Sequence, residues 1–219
     1  LTFFLILIIS IVYLSTVGIE TSKFNKQIGS IVKNLNNDLE IELQQVKIIL
    51  DPFNLEFNAK TVGPKLKIKD KKIELESIKT KIIIDSLFNN DFSLKNLDIS
   101  TRSLEITNLI SFFRNIKNTP ELYILEKIVS KGFLICEVNL EFDKEGKVKN
   151  NYIINGLIKE AQLKFLKKYN FDKINFAFKF QEEIFELESL KLSLNNTNLL
   201  SERITVKRDI DEKFIIEGL

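Results

Sequence analysis

Histidine is absent from this chain, and with it the side chain most used for proton transfer near neutral pH and the commonest zinc ligand. No Ser-His or Cys-His pair can be assembled. The single cysteine, Cys136, excludes an intrachain disulfide, so cysteine usage does not report the redox compartment. Only 3 Pro and 7 Gly are present, which favours long uninterrupted elements, and no Gly cluster is available to cradle a phosphate. Net charge is nearly absent too: 32 Lys+Arg against 30 Asp+Glu leave +2, which provides no global field for nucleic acid. Methionine is missing and the first residue is Leu1, which points to a native start upstream. The last residues, Phe214 to Leu219, read as a strand without a terminator, as in the N-terminal part of a longer protein.

What is there is apolar and patterned. The 219 residues are 44% hydrophobic and 28% charged, enough to bury a sizeable core and too apolar for a disordered chain. Phe3, Phe4, Leu5, Ile6, Leu7, Ile8, Ile9, Ile11, Val12, Tyr13 and Leu14 form a run broken only by Ser10, with Val17 to Ile19 extending it. A bilayer-spanning helix needs roughly 20 apolar residues, about 17 at the short end, and Tyr13 suits an interfacial position. Residues 1–19 are therefore expected to be a transmembrane anchor. Two other readings fit the run: a signal peptide cleaved at the small residues Thr16 and Gly18, or a buried core helix.

Residues 20–38 carry Phe24, Ile28, Ile31, Val32 and Leu35 at helical spacing. Thr21 or Ser22 can cap this amphipathic helix, and Asn36-Asn37-Asp38 ends it. It either lies on a membrane surface or plugs the end of the sheet that follows.

From Leu39 to the end, over 39–219, the period is two. Leu39, Ile41 and Leu43 alternate with glutamates; Leu55, Phe57 and Ala59, then Leu66 and Ile68, follow. Ile73 and Leu75 give way to Ile78, Ile82 and Ile84 in the opposite phase, which predicts a bulge near Ser77. Phe92, Leu94, Leu97 and Ile99 predict another slip. A helical pair interrupts the sheet at 108–131: Asn108 starts one helix carrying Leu109, Phe112, Phe113 and Ile116, and Thr119-Pro120-Glu121 starts the second, with Gly132 as its C-terminal cap.

Strands then resume. Leu134, Cys136, Val138, Leu140 and Phe142 share one face, and Asp143 to Gly146 turns the chain into a strand at Val148–Ile158. The clearest strand has Ile174, Phe176, Phe178 and Phe180 on one side and Lys173, Asn175 and Lys179 on the other. Glu182-Glu183 turns it into Phe185, Leu187, Leu190, Leu192 and Leu194, and Ile204 and Val206 continue the series. Short connections predict an antiparallel meander.

The alternating carboxylates read as a solvated sheet face, and no catalytic constellation emerges; the chain is expected to be neither an enzyme nor a cofactor carrier. Cys136, in phase with Leu134 and Val138, reads as a small buried apolar residue. Lys65, Lys67, Lys69, Lys71 and Lys72 are the densest basic stretch, suited to keeping a strand edge soluble or to touching anionic headgroups. The apolar strand faces either meet a second layer or line an open groove for acyl chains; periodicity does not separate the two.

The segments Tyr13-Leu14-Ser15-Thr16-Val17-Gly18-Ile19-Glu20-Thr21 with Phe24-Asn25, Asn118-Thr119-Pro120-Glu121-Leu122, Lys131-Gly132-Phe133, Phe142-Asp143-Lys144-Glu145-Gly146-Lys147 and Leu192-Ser193-Leu194-Asn195-Asn196 resemble the N-terminal portion of AsmA-like envelope proteins, the group that includes TamB and YhdP. The Lys-, Asn- and Ile-rich composition resembles their alphaproteobacterial versions. The resemblance implies a mainly β fold with some α: an N-terminal transmembrane helix, then a long antiparallel sheet curled into a groove, interrupted by the helical pair. It implies a single pass through the bacterial inner membrane with the body in the periplasm. It further implies phospholipid acyl chains as cargo, outer-membrane or periplasmic proteins as partners, no nucleic acid, and a role in phospholipid transfer or outer-membrane biogenesis. By position, the lining falls on Leu134, Val138, Leu140, Phe142, Ile174, Phe176, Phe178, Phe180, Phe185, Leu187, Leu190, Leu192 and Leu194. The alternative is a structural or assembly module of the envelope with a closed core.

Overall fold

A computed structural model describes residues 2–22, 25–83, 94–143, 145, 147–166, 168–208 and 213–219. The expected apolar positions Phe24, Ile84 and Phe92, and Lys144 and Gly146 of the expected turn, lie outside these residues, as do the side chains of Ile31 and Leu35.

The chain opens with α1 (Thr2–Thr16), β1 (Ile19–Thr21) and α2 (Asn25–Leu35). Five strands follow: β2 (Leu39–Glu42), β3 (Val46–Asp51), β4 (Glu56–Val62), β5 (Lys65–Ile68) and β6 (Lys71–Ile83). After β7 (Leu94–Thr101) and β8 (Leu104–Glu105) come the helices α3 (Ile106–Ile116) and α4 (Pro120–Ile128). The remainder is β9 (Val129–Glu141), β10 (Ile153–Phe165), β11 (Tyr169–Gln181), β12 (Ile184–Leu194), β13 (Thr197–Arg208) and β14 (Phe214–Gly218).

The fold is mainly β: one long, curved antiparallel sheet that does not close, with β1 and β14 at its two ends. From β9 to β14 each strand pairs with the next, as short connections dictate. Before β9 the meander is broken. The path runs β1-β3-β4-β6-β7-β9, while β2 pairs with β5, β5 with the first residues of β6, and β8 with β9.

Register makes one face of the sheet apolar along its whole length. Val46, Thr61, Ile78, Ile99, Val138, Ile154, Phe180, Phe185, Val206 and Ile216 are directly opposed, strand by strand, across the path. The phase slips in the sequence are bulges that keep this face intact. One lies between Leu75 and Ser77 as expected, and another at Lys81/Ile82 opposite Asn96/Leu94 matches the slip before Leu97. Three more align across β10, β11 and β12, where Glu160, Lys173 and Ser189 take φ of 50°, 52° and 54°. These explain why Leu187 and Leu190, three apart, face the same way. The tight hairpins Glu182-Glu183 and Asn195-Asn196 have φ above zero at both central residues, the turn type that matches strand twist.

The structure departs from the expectations at four points. The helix at the N-terminus has 15 residues, about 22 Å at 1.5 Å per residue, against a hydrocarbon core of about 30 Å. No helix among the described residues is long and apolar enough to cross a membrane. Gly18 stops α1: its amide donates to the Tyr13 carbonyl, its φ is +75°, and a Cβ there would sit 2.4 Å from the Ile48 carbonyl oxygen. Second, α3 starts at Ile106 rather than Asn108; Glu105 is its N-cap residue, and Asn108 donates to the Glu105 carboxylate at 2.7 Å. Third, Gly132 does not cap α4. The helix ends at Ile128, β9 begins at once, and Gly132 lies buried within that strand, where a Cβ would come 2.9 Å from the Ala161 Cα. The Thr119 cap is as expected, its hydroxyl accepting from the Leu122 amide with Pro120 at the first helical position. The strand expected from Val148 begins at Ile153, with Val148 bridging only to Phe142.

Helices and side strands cover the apolar face over its first half. Phe112 of α3 is 2% exposed and Ile68 of β5 0%. They pack with Leu39, Ile73 and Leu75, against which Val32 of α2, Ile78, Ile99 and Leu109 lean. Ile28 of α2 rests on a second cluster formed by Val46, Ala59 and Ile82. The amphipathic helix therefore plugs the sheet.

Candidate functional site

The apolar face continues past this cover. Leu134, Val138 and Leu140 lie on the β9 portion of the face, opposite Ile158, Ile154 and Leu97. Phe142, just beyond β9, meets Val148. Ile174, Phe176, Phe178 and Phe180 line β11, and Phe185, Leu187, Leu190, Leu192 and Leu194 line β12 on the same face. Of these, Ile174 is buried and the rest are half-buried. Among the described residues, no helix or strand packs over the face from Phe176 to Leu194.

Four rings organise the centre of this surface. Phe178 is 6.3 Å from Phe176 and 5.7 Å from Phe185, and Phe180 is 6.5 Å from Phe185. Tyr152, on the approach to β10, adds a contact of 5.8 Å to Phe180. Gly156 is the reason Phe178 can lie flat: a Cβ there would come 2.6 Å from the ring. The patch is thus built from directly opposed residues with a glycine cut to admit an aromatic.

Residues missing from the expected lining are Ile154 and Ile158 of β10 and Ile204 and Val206 of β13, which stand opposite Phe180, Phe176, Leu187 and Phe185. Alternation in β10 was readable, but its phase depended on register with β11. At the far end Leu199, opposite Leu192, and Ile216 are exposed, Ile216 at 70%.

The opposite face carries the charged pairs. Arg203 pairs with Glu186, and Lys207 with Glu217 at 3.3 Å, around a concavity of about 500 Å³ that also includes Ile184 and Thr205. Cys136 is half-buried on the apolar side; burial pushes its thiol up, partly offset by the Thr101 hydroxyl, which donates to Sγ at 3.8 Å.

Four of the five lysines in the densest basic stretch take a carboxylate partner. Lys72 and Lys65 flank Glu74 at 2.9 and 3.5 Å, Lys67 pairs with Glu42, and Lys71 with Asp70 at 3.7 Å. The Lys67 ammonium holds the Glu42 carboxyl below its ordinary range, and Lys72 does the same for Glu74. Cross-strand ladders of this kind keep β2 and β5 attached to β6.

α1 stands apart from the other helices in its composition. None of its side chains is buried, it is apolar all round, and the hydroxyls of Ser10 and Thr16 donate back to the carbonyls of Ile6 and Val12. A helix apolar on every side finds its partners in other protein or in lipid.

No protein-family model matches the chain, and no match exists among curated proteins or solved structures.

Proposed function

We propose that this chain is a membrane-attached segment of a hydrophobic groove that carries phospholipid acyl chains, with α1 entering the bilayer as the point of attachment and the sheet outside it. The resemblance to AsmA-like envelope proteins supports inner-membrane attachment, a periplasmic body and a part in phospholipid transfer or outer-membrane biogenesis. One observation carries the reading: the apolar row that is a closed core under α2 and α3 continues on β11, β12 and β13, where among the described residues no helix or strand packs over Phe176 to Leu194.

The energetics suit an unspecific cargo. Each CH₂ taken out of water is worth about 0.8 kcal/mol, and roughly half of that when one side of the chain stays wet. A fatty acyl chain along the Phe176–Phe185 surface is held without any polar contact and is free to slide.

Site-specific photo-crosslinking in cells tests this. A photoreactive phenylalanine analogue at Phe178 or Leu192 should yield phospholipid adducts, and the same analogue at Lys179, on the other face, should not. Equal labelling from both faces, or protein adducts alone from Phe178, would overturn the proposal. The second outcome is what an assembly module with protein partners requires, a reading that the closed core of the first half favours.

A further inference from the structure

Four lysines scattered in the sequence are brought together by the fold, and among the described residues none of them forms an ion pair. Lys60 of β4 stands directly opposite Lys47 of β3 and Lys79 of β6, and Lys81 lies two residues along from Lys79 on the same face. All four side chains are exposed on the polar side of the sheet, around a concavity of about 450 Å³ that also includes Asn58 and Asp98. Like charges directly opposed across antiparallel strands destabilise a sheet, so folding does not explain this row.

Three acids lie nearby, but among the described residues none forms an ion pair with these lysines. Asp98 is opposite Lys79, but the amides of Asn96 and Asn139 donate to its two carboxylate oxygens at 3.0 and 3.1 Å. Glu20 is opposite Lys47 at the exposed end of the sheet, and Asp51, held by Asn54 at 2.9 Å, lies near Lys81. Among the described residues, the ion pairs are made by other lysines and arginines: Lys95, for example, takes Glu56 at 2.6 Å.

The row is also placed next to α1. Gly18 seats the end of that helix on Ile48, and Lys47 is the adjoining residue of β3. Lys60 and Lys79 follow on the next two strands, at about 4.8 Å per strand. An uncovered apolar helix and a basic row outside any ion pair thus share one end of the molecule.

We propose that Lys47, Lys60, Lys79 and Lys81 form a docking surface for the phosphate headgroups of anionic lipids in the membrane that α1 enters. The surface sets how the sheet stands on the bilayer. Charge complementarity and continuity with α1 select this occupant. The inference rests on membrane attachment through α1, and the experiment reads the two separately.

Flotation of the full chain with neutral phosphatidylcholine vesicles measures α1; the extra binding to vesicles containing phosphatidylglycerol measures the lysines. The expected result is a gain in affinity on anionic vesicles that shrinks about fivefold for each lysine removed, so that Lys60→Gln with Lys79→Gln abolishes most of it. Binding to neutral vesicles should not change. Lys65→Gln, at an already paired site, should leave the gain intact. A gain that survives the double variant, or falls equally in Lys65→Gln, overturns the proposal. So does selective displacement by inorganic phosphate at constant ionic strength, which would make the occupant a soluble phosphate. Failure on neutral vesicles with the anionic gain retained would overturn attachment through α1 and leave the lysine surface standing.

Discussion

The two halves of the sheet are built on one alternation and reach opposite ends. In β3, β4, β6 and β7 the apolar face is roofed by α2, α3 and the β2–β5 ladder, and Phe112 fills the centre at 2% exposure. From Phe176 onward, on β11 to β13, the same face bears four rings and a file of leucines, and among the described residues no helix or strand packs over it. The difference teaches that a period-two pattern specifies a face and not its fate. Core or groove is decided by what the rest of the chain places over that face, and here the cover stops part-way.

The comparison breaks most easily at its two aromatic centres. Phe112→Ala empties a closed site and should cost about 3–5 kcal/mol of unfolding free energy. Phe178→Ala removes a ring already in contact with water and should cost roughly 1 kcal/mol. Chemical denaturation of both variants reads the pair. Equal losses would mean that the second half is roofed as firmly as the first, and the groove reading would go with the contrast.

Much of this was legible beforehand, because strand faces are written locally. Ile174 to Phe180 announced its own phase, the slips near Ser77 and Leu97 became bulges, and Thr119-Pro120 capped the helix expected of it. Other features depend on partners distant in sequence. Gly132 resembles a helix stop, yet it is set by the close approach of Ala161 on β10. Asn108 has a capping side chain, but β8 hands the chain to α3 two residues earlier. Lys47, Lys60 and Lys79 look unremarkable in the sequence and become neighbours only through strand pairing, while the dense stretch from Lys65 to Lys72 loses its prominence to Glu42 and Glu74.

Gly132 marks the seam between the halves and offers the next-largest test. Its φ of +141° is unsuited to a side chain, and a Cβ would meet Ile106 Cδ1 at 2.8 Å as well as the Ala161 backbone. Gly132→Ala should therefore cost about 2–3 kcal/mol by strain and overpacking, and should pry α3 from β9. Thermal melting with hydrogen exchange localises the damage. Protection should fall first at α3 and remain highest at β10 to β12. Loss that is uniform along the sheet would show that roof and open surface unfold as a single cooperative unit.

The smallest effect belongs to Cys136, whose thiol sits on the apolar face beside Gly156 and under the Thr101 hydroxyl. Burial raises its pKa above the ordinary 9.0, with the Glu137 charge adding to the shift and the Thr101 contact opposing it. In the folded chain the thiolate is scarcer than in the unfolded one, so iodoacetamide at pH 8 should label the native protein more slowly than the denatured protein. The same shift fixes the sign of a stability effect. The unfolded chain releases its thiol proton first, so this contribution is intact below about pH 8.5 and is lost as pH rises through the folded value. Cys136→Ala should remove that part of the alkaline decline, and the difference between the two stability curves isolates it from lysine and tyrosine titration. Native labelling as fast as denatured labelling, together with superimposable curves, would place β9 with the uncovered strands and move the seam one strand towards β7.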